Sequence, residues 1–339
     1  MMTVTEVPFG DASLYRLTNS AGNYVELSNF GARIVSFVVG GRQMVLGFDN
    51  LADYQQTPHI GATIGRVAGR IQEGRATITG LSYQFAVNHP AGYTLHGGNP
   101  GFDERYFETV VLTESVAACQ VTFRYVSPAL EHGFPGEVTL DVTHRFDEDN
   151  CWTVLFDATS TADTLFNPTN HVYFNLTGDV GQSVFDHILQ VSADEVAVLA
   201  SNGLPTGQKQ SVAGSDFDFR RPLGLSQIAQ SQMAAIRQFD GLDHPFFLTD
   251  SSNAGRLISP DGRFELVVQT NQTAVVVFTM NFGATGLKFR GKEMVKHAGI
   301  TFETQSAPGS ERFADFGQIV LKKGDTYHAE TAYQVTQKG

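Results

Sequence analysis

The chain has 339 residues, 42% hydrophobic and 17% charged, with 26 phenylalanines, the make-up of a folded globular protein rather than a disordered or fibrous one. Its formal charge of -12 argues against nucleic acid or an anionic membrane as a partner, since both are negative; a neutral small molecule fits better. Two cysteines, Cys119 and Cys151, are too few for a disulfide framework and lack metal-ligand spacing, so a reducing compartment is expected.

Residues 1–11 include Glu6 and Asp11 and lack the cationic start and apolar run of a signal peptide. No apolar run approaches the roughly 18 residues of a membrane helix. The expectation is a cytoplasmic protein. Short β-type runs follow at residues 14–18, 24–28, 32–39 and 43–48, separated by Asn-Ser-Ala-Gly, Asn-Phe-Gly and Gly-Gly. Such runs with Gly and Asn turns predict an antiparallel sandwich or barrel. The pattern returns at 75–87, 107–112, 119–126, 137–146, 152–160, 264–270, 274–278, 300–305 and 327–336. Helical periodicity is weak, with candidates at 51–56, 223–230 and 232–238. Residues 58–74 and 199–221 are rich in Gly, Asp and Arg without a period and read as loops over one face. No linker divides the chain, so the expectation is mainly β, one large domain spanning 1–339.

Among chemistry-bearing motifs, Gly286 to Lys292 opens like a phosphate loop, but Glu293 stands where a magnesium-binding Ser or Thr is needed. The ten histidines include no His-x-x-x-His pair and no cluster with cysteine, so a zinc site built from a local motif is not indicated. Scattered ligands remain open to the sequence. His171 lies in Leu165-Phe-Asn-Pro-Thr-Asn-His-Val-Tyr-Phe-Asn-Leu-Thr-Gly178, and two-residue alternation after it places it near a strand start. Asn170, Tyr173 and Asn175 could fix its tautomer, and an ordinary imidazole titrates near physiological pH. By itself it reads more readily as a structural histidine whose two nitrogens are satisfied by backbone groups.

His96 precedes two glycines in Tyr93-Thr-Leu-His-Gly-Gly98, which let a ligand or another segment approach the backbone closely. Glu303 sits in the alternating Gly299-Ile-Thr-Phe-Glu-Thr-Gln305. Bulky neighbours can desolvate its carboxyl and raise its pKa, as a general base requires, although alternation alone favours a solvated outer face. Asp243 in Gly241-Leu-Asp-His-Pro-Phe246 reads as a turn acid. Arg70 reads as a loop arginine with no acidic neighbour before Glu73.

Taken together these segments resemble the aldose 1-epimerase (galactose mutarotase) family. The resemblance runs from Asn29-Phe-Gly-Ala-Arg33 to residues 327–335, through Gly65-Arg-Val-Ala-Gly-Arg-Ile71, Leu95-His-Gly-Gly98, Gly101-Phe-Asp103 and Gly133-Phe-Pro-Gly136. It continues with Asn170-His-Val-Tyr-Phe-Asn-Leu176, Leu204-Pro-Thr-Gly207, Phe217-Asp-Phe-Arg220, Gly241-Leu-Asp-His244 and Phe302-Glu-Thr-Gln305. Each motif is weak alone, and their order over nearly the whole chain carries the signal. The resemblance implies a large antiparallel β-sandwich with an open sugar cleft, and interconversion of the α and β anomers of an aldose without cofactor or metal. It implies Glu303 as the base at the anomeric hydroxyl and His171 as the acid at the ring oxygen. His96 would position the sugar near that oxygen, Arg70 and Asp243 would bind other hydroxyls, and Phe278 would pack against the ring.

Glu303 and His171 are expected to face each other across one cleft with the width of a sugar ring between them. Departures from the family pattern fall at Gly69, Tyr93, Glu104 and Pro308-Gly-Ser310 and leave the identity of the sugar open, as they do the oligomeric state. Two other readings stand beside the epimerase: a non-catalytic sugar-binding or sensing module, since a fold does not fix a function, and a glycoside hydrolase using Asp243 and Glu303.

Overall fold

The computed structural model of the chain describes residues 2–283, 286 and 288–339. Alternation builds its sheets. Along Val138–Asp147, Val138, Leu140, Val142, His144 and Phe146 are buried while every intervening residue is wetter, so one face meets the core and the other meets solvent. Ile300–Gln305 breaks that rule, because all six residues are buried. That strand is covered on both faces.

Among the described residues the strands pair antiparallel into two large sheets, a five-stranded one and five two-stranded ribbons. The nine-stranded sheet runs in the order Glu108–Glu114, Ala118–Ser127, Val138–Asp147, Cys151–Ser160, Thr326–Gln337, Phe264–Thr270, Gly255–Ile258, Ile188–Val191 and Leu223–Gly224. The six-stranded sheet runs Tyr173–Phe174, Ile300–Gln305, Ala274–Phe278, Asp243–Leu248, Ala193–Leu199 and Pro205–Ser211. Residues 3–43 form a five-stranded meander. The two large sheets face each other. Tyr333 of one donates its hydroxyl to the Phe302 carbonyl of the other at 3.2 Å, and its ring stacks on Trp152 at 4.8 Å and packs on Phe174 at 5.3 Å. Phe302, Phe174, Trp152 and Tyr333 belong to one apolar cluster whose members run from Met2 to Val335. Each buried aromatic of this kind contributes about 1.5–3 kcal/mol relative to an exposed one.

The runs predicted at 24–28, 264–270, 274–278 and 300–305 coincide with strands, and 51–56 with the helix Leu51–Gln56. Asn50 starts that helix by accepting the Asp53 amide on its side chain at 3.0 Å, satisfying an amide the helix leaves free. The run 75–87 folds as a hairpin, Arg75–Ile78 with Leu81–Gln84. Elsewhere tertiary context overrides the local pattern. The run 43–48 forms a strand only at Arg42–Gln43 and a bridge at Val45; Met44 and Leu46 exchange further backbone hydrogen bonds with Phe37, Tyr173 and Asn175, and residues 44–48 are buried. The segment 199–221, read as loop, contains the strand Pro205–Ser211. The predicted helix 223–230 begins as a two-residue edge strand and becomes helical only over Ser226–Gln230. Strands Ile188–Val191, Ala193–Leu199 and Asp243–Leu248 lie outside every run that the local pattern predicts.

At 286–292, Leu287 lies outside the described residues, and Lys288–Phe289 pairs with Lys292–Glu293 as a small ribbon where a phosphate loop would begin a helix. Among the described residues no helix is long and apolar enough to cross a membrane.

Candidate active site

The strand Ile300–Gln305 positions the centre of the cleft. Ile300 and Phe302 turn toward the opposing sheet, so Thr301, Glu303 and Gln305 turn to the other face by the two-residue period. That face is roofed by the segment 58–74 and by residues 199–205, which leaves a cleft of about 180 Å³. Leu95, Leu199, Pro205, Val276, Phe278 and Pro308 supply apolar wall, and His59, Arg70, His96, His171, Asp243, Glu303 and Gln305 supply the polar groups. A largely apolar concavity with a few converging polar side chains is the usual form of a small-molecule site.

All six residues singled out from the sequence, Glu303, His171, His96, Arg70, Asp243 and Phe278, line this one cleft. Several local expectations about them need correction. His171 does not begin a continuous strand. It occupies the break between Thr169–Asn170, which pairs with Thr63–Ile64, and Tyr173–Phe174, which pairs with Ile300–Gln305. The backbone is held there by exchange with Gly61 and Ala62, the His171 amide donating to the Ala62 carbonyl at 2.8 Å and the Gly61 amide to the His171 carbonyl at 3.0 Å.

The polar neighbours do not fix the His171 tautomer. Asn170 donates to the Gly61 carbonyl, Asn175 donates to the carbonyls of Gln182 and Ala298, and Nδ1 of His171 is buried with no hydrogen-bond partner among the described residues. Its Nε2 instead lies 3.3 Å from Oε1 of Glu303, both side chains almost wholly buried. The two groups are therefore adjacent and not separated by a sugar's width.

Arg70 belongs to the short strand Arg70–Gln72 and does have an acidic partner, 173 residues away: its Nη2 meets Oδ2 of Asp243 at 2.8 Å. Asp243, read as a turn acid, is the first residue of the strand Asp243–Leu248, paired opposite Phe278. Only the folded sheet brings this pair together. Phe278 forms an aromatic wall with Tyr173 at 6.2 Å and Phe282 at 6.2 Å.

His96 adopts a positive φ of 52° and is followed by Gly97 and Gly98 at 83° and 109°, a conformation that favours glycine. What approaches those glycines is another chain segment: a Cβ on Gly97 would lie 2.2 Å from the Gly65 carbonyl oxygen. The Gly69 amide donates to His96 Nδ1 at 3.2 Å, so the neutral ring carries its proton on Nε2. The departures from the family pattern surround this cluster. Gly69 and Pro308 line the cleft, Tyr93 receives Arg70 Nε on its hydroxyl at 3.4 Å, and Glu104 lies beside Asp103.

Burial governs the titration of the pair. It pushes the Glu303 carboxyl up to about 8, aided by the nearby Asp243 charge and opposed by the Thr301 hydroxyl, which donates to the carboxylate at 3.2 Å. Burial also drives His171 down to about 3, with the His59 charge acting in the same direction, and holds His96 well below its ordinary value. His171 is thus displaced from neutrality and does not titrate near it. On these values the one proton that the coupled pair shares across the neutral range rests on the Glu303 carboxyl, and it must pass to His171 Nε2, 3.3 Å away, before the two can serve as base and acid.

Sequence reasoning missed His59, Tyr173, Gln305 and Phe282, which also line the cleft. His59 carries no motif and sits in a segment read as irregular. Tyr173 and Gln305 stood inside quoted motifs, and the two-residue period from Glu303 to Gln305 was a usable signal for the latter. Among the described residues no group of three or more His, Cys, Asp or Glu is arranged to hold a metal ion.

The fold is that of the galactose mutarotase-like β-sandwiches. The chain superposes over 100% of its length on galactose 1-epimerase from Lactobacillus acidophilus, covering 99% of that chain with a TM-score of 0.90 at 28% identity. It matches an aldose epimerase homologue from C. elegans over the whole of both chains with a TM-score of 0.84 at 26% identity. In sequence it is 34% identical to galactose mutarotase of Bos taurus, over 98% of this chain and 99% of that protein. It is 32% identical to aldose 1-epimerase of Escherichia coli K12, with the same coverage. The aldose 1-epimerase family profile matches residues 13–334, and the chain belongs to that family of isomerases.

Proposed function

We propose that the protein interconverts the α and β anomers of a free aldose, with galactose and glucose the first candidates, and that it does so in the cytoplasm as a single structural unit. Glu303 removes the proton of the anomeric hydroxyl while His171 delivers one to the ring oxygen, the C1–O5 bond opens, and rotation about C1–C2 presents the other face of the aldehyde. The same two groups then transfer protons in the reverse sense and close the ring as the other anomer. His96 donates from Nε2 near the ring oxygen, Arg70 and Asp243 bind hydroxyls, and Phe278 packs against the apolar face of the sugar.

The observation that supports this reading above the others is the approach of His171 Nε2 to Glu303 Oε1 at 3.3 Å on the cleft floor. The two oxygens that exchange protons are both bonded to C1, so an acid and a base this close serve them together. Among the described residues Arg70 is the one Lys or Arg that lines the cleft, and Asp243 already engages it, which suits an unphosphorylated sugar. The test is polarimetry of freshly dissolved α-D-galactose and α-D-glucose, extended across a panel of aldoses. A relaxation no faster than in buffer for every sugar would overturn the proposal.

A further inference from the structure

A third imidazole stands beside the pair, and the roles proposed above do not use it. His59 follows the helix Leu51–Gln56 and lines the cleft. Its Nδ1 lies 2.8 Å from Oδ2 of Asp103, and the Asp103 side chain is only 3% exposed while that of His59 is 43% exposed. Asp103 is itself fixed: it lies in the turn Phe102–Glu104, and the buried Arg33 guanidinium donates to its backbone carbonyl at 2.5 Å. A carboxylate on Nδ1 sets the tautomer and orientation of an imidazole. The ring so held lies nearly parallel to that of His171, at 6.1 Å and 23°, and meets the edge of His96 at 5.0 Å.

We propose that His59, pinned through Nδ1 by Asp103, is a positioning residue for His171: it holds one face of that imidazole and sets a second imidazole charge beside it. The charged and titratable groups around His171 are Glu303 from the strand Ile300–Gln305, His96 from the turn after Tyr93–Leu95, Tyr173 two residues on, and Asp243 and Asp103 at longer range. Asp243 and Asp103 favour the imidazolium of His171, and His59 opposes it. The packing and the charge are separable, because phenylalanine preserves the first and removes the second.

The inference rests on His171 acting as the acid, and the experiment separates the two. Galactose mutarotation is followed against pH for the parent, His171→Asn, His59→Phe and His59→Ala. With the cation gone, a proton adds to His171 more readily, so the acidic limb of kcat moves to higher pH by about half a unit or more in both His59 variants. His59→Ala, which also loses the packing, loses a further roughly tenfold in kcat with KM within about twofold. NMR titration of the His171 imidazole in the two His59 variants reads the same upward shift without turnover. A raised KM with an unmoved acidic limb would make His59 a sugar ligand and overturn the inference, as would parent-like behaviour of both variants. A parent without activity, or a fully active His171→Asn, defeats the proposed function instead.

Discussion

Nε2 of His171 lies 3.3 Å from Oε1 of Glu303 at the floor of the cleft, although 132 residues, counted from 171 to 303, separate them in the chain. Two strands joined side by side make this possible: Tyr173 pairs opposite Thr301 and Phe174 opposite Ile300, so the residue just before one strand and a residue within the other share one wall. In the proposed mechanism each group carries one half of a proton exchange. Glu303→Gln and His171→Asn should each lower kcat by about 10²–10⁴, the usual contribution of a positioned acid or base, with the sugar still bound. Polarimetric progress curves at saturating galactose measure the loss, and sugar-induced changes in intrinsic fluorescence measure the retained binding.

The basic limb of the pH profile should respond to Thr301. Its hydroxyl donates to Oε1 of Glu303 at 3.2 Å and favours the carboxylate, so removing it raises the carboxyl's pKa further. Activity is expected to fall as pH rises through about 8, where the pair loses its one proton. In Thr301→Val that limb moves to higher pH. An unmoved limb would show that the hydroxyl does not touch the titrating form.

Stability should depend on pH through the same carboxyl. Its folded value, about 8, lies above the ordinary 4.5. The folded state therefore binds this proton more tightly, and the stability it contributes, fully present below about 4.5, is lost as pH rises to about 8. Glutamine cannot ionise. The melting temperature of Glu303→Gln relative to the parent should therefore climb between those two pH values and level off beyond them, a trend read by thermal melts at several pH values. A flat difference would mean that the Glu303 carboxyl is not held away from solvent.

The Arg70–Asp243 pair, at 2.8 Å with roughly a fifth of each side chain exposed, is expected to serve sugar hydroxyls. Hydrogen bonds to charged groups contribute about 1.5–3 kcal/mol. Asp243→Asn and Arg70→Met should therefore lower kcat/KM by about 10–100-fold, chiefly through KM for galactose. Comparison with the matching deoxy-sugars assigns the hydroxyl: the sugar that lacks the contacted group loses nothing further in the variant.

Phe302 tests the frame that carries the site. It is fully buried between the sheets, its ring in the space a Cβ on Gly255 would claim at 2.7 Å. Phe302→Ala should destabilise the fold by about 3–5 kcal/mol, seen as an earlier urea midpoint with an unchanged slope.

Much of this protein was determined by sequence alone. Alternation with Gly and Asn turns marks the strands 24–28, 264–270, 274–278 and 300–305, because a half-buried strand must repeat every two residues. The ordered motifs pick out six residues that line one cleft. Strands such as Asp243–Leu248 and Pro205–Ser211 escaped notice because Pro, Gly and polar residues hide the period where the sheet edge or the cleft sets the burial. Arg70 read as unpartnered because its partner is 173 residues distant. Tertiary structure alone decided the charge state of the site. Burial, which no local pattern encodes for a single residue, drives Glu303 up and His171 down, and the antiparallel pairing of two strands places them in contact. It likewise placed His59, silent in the sequence, between Asp103 and the ring of His171.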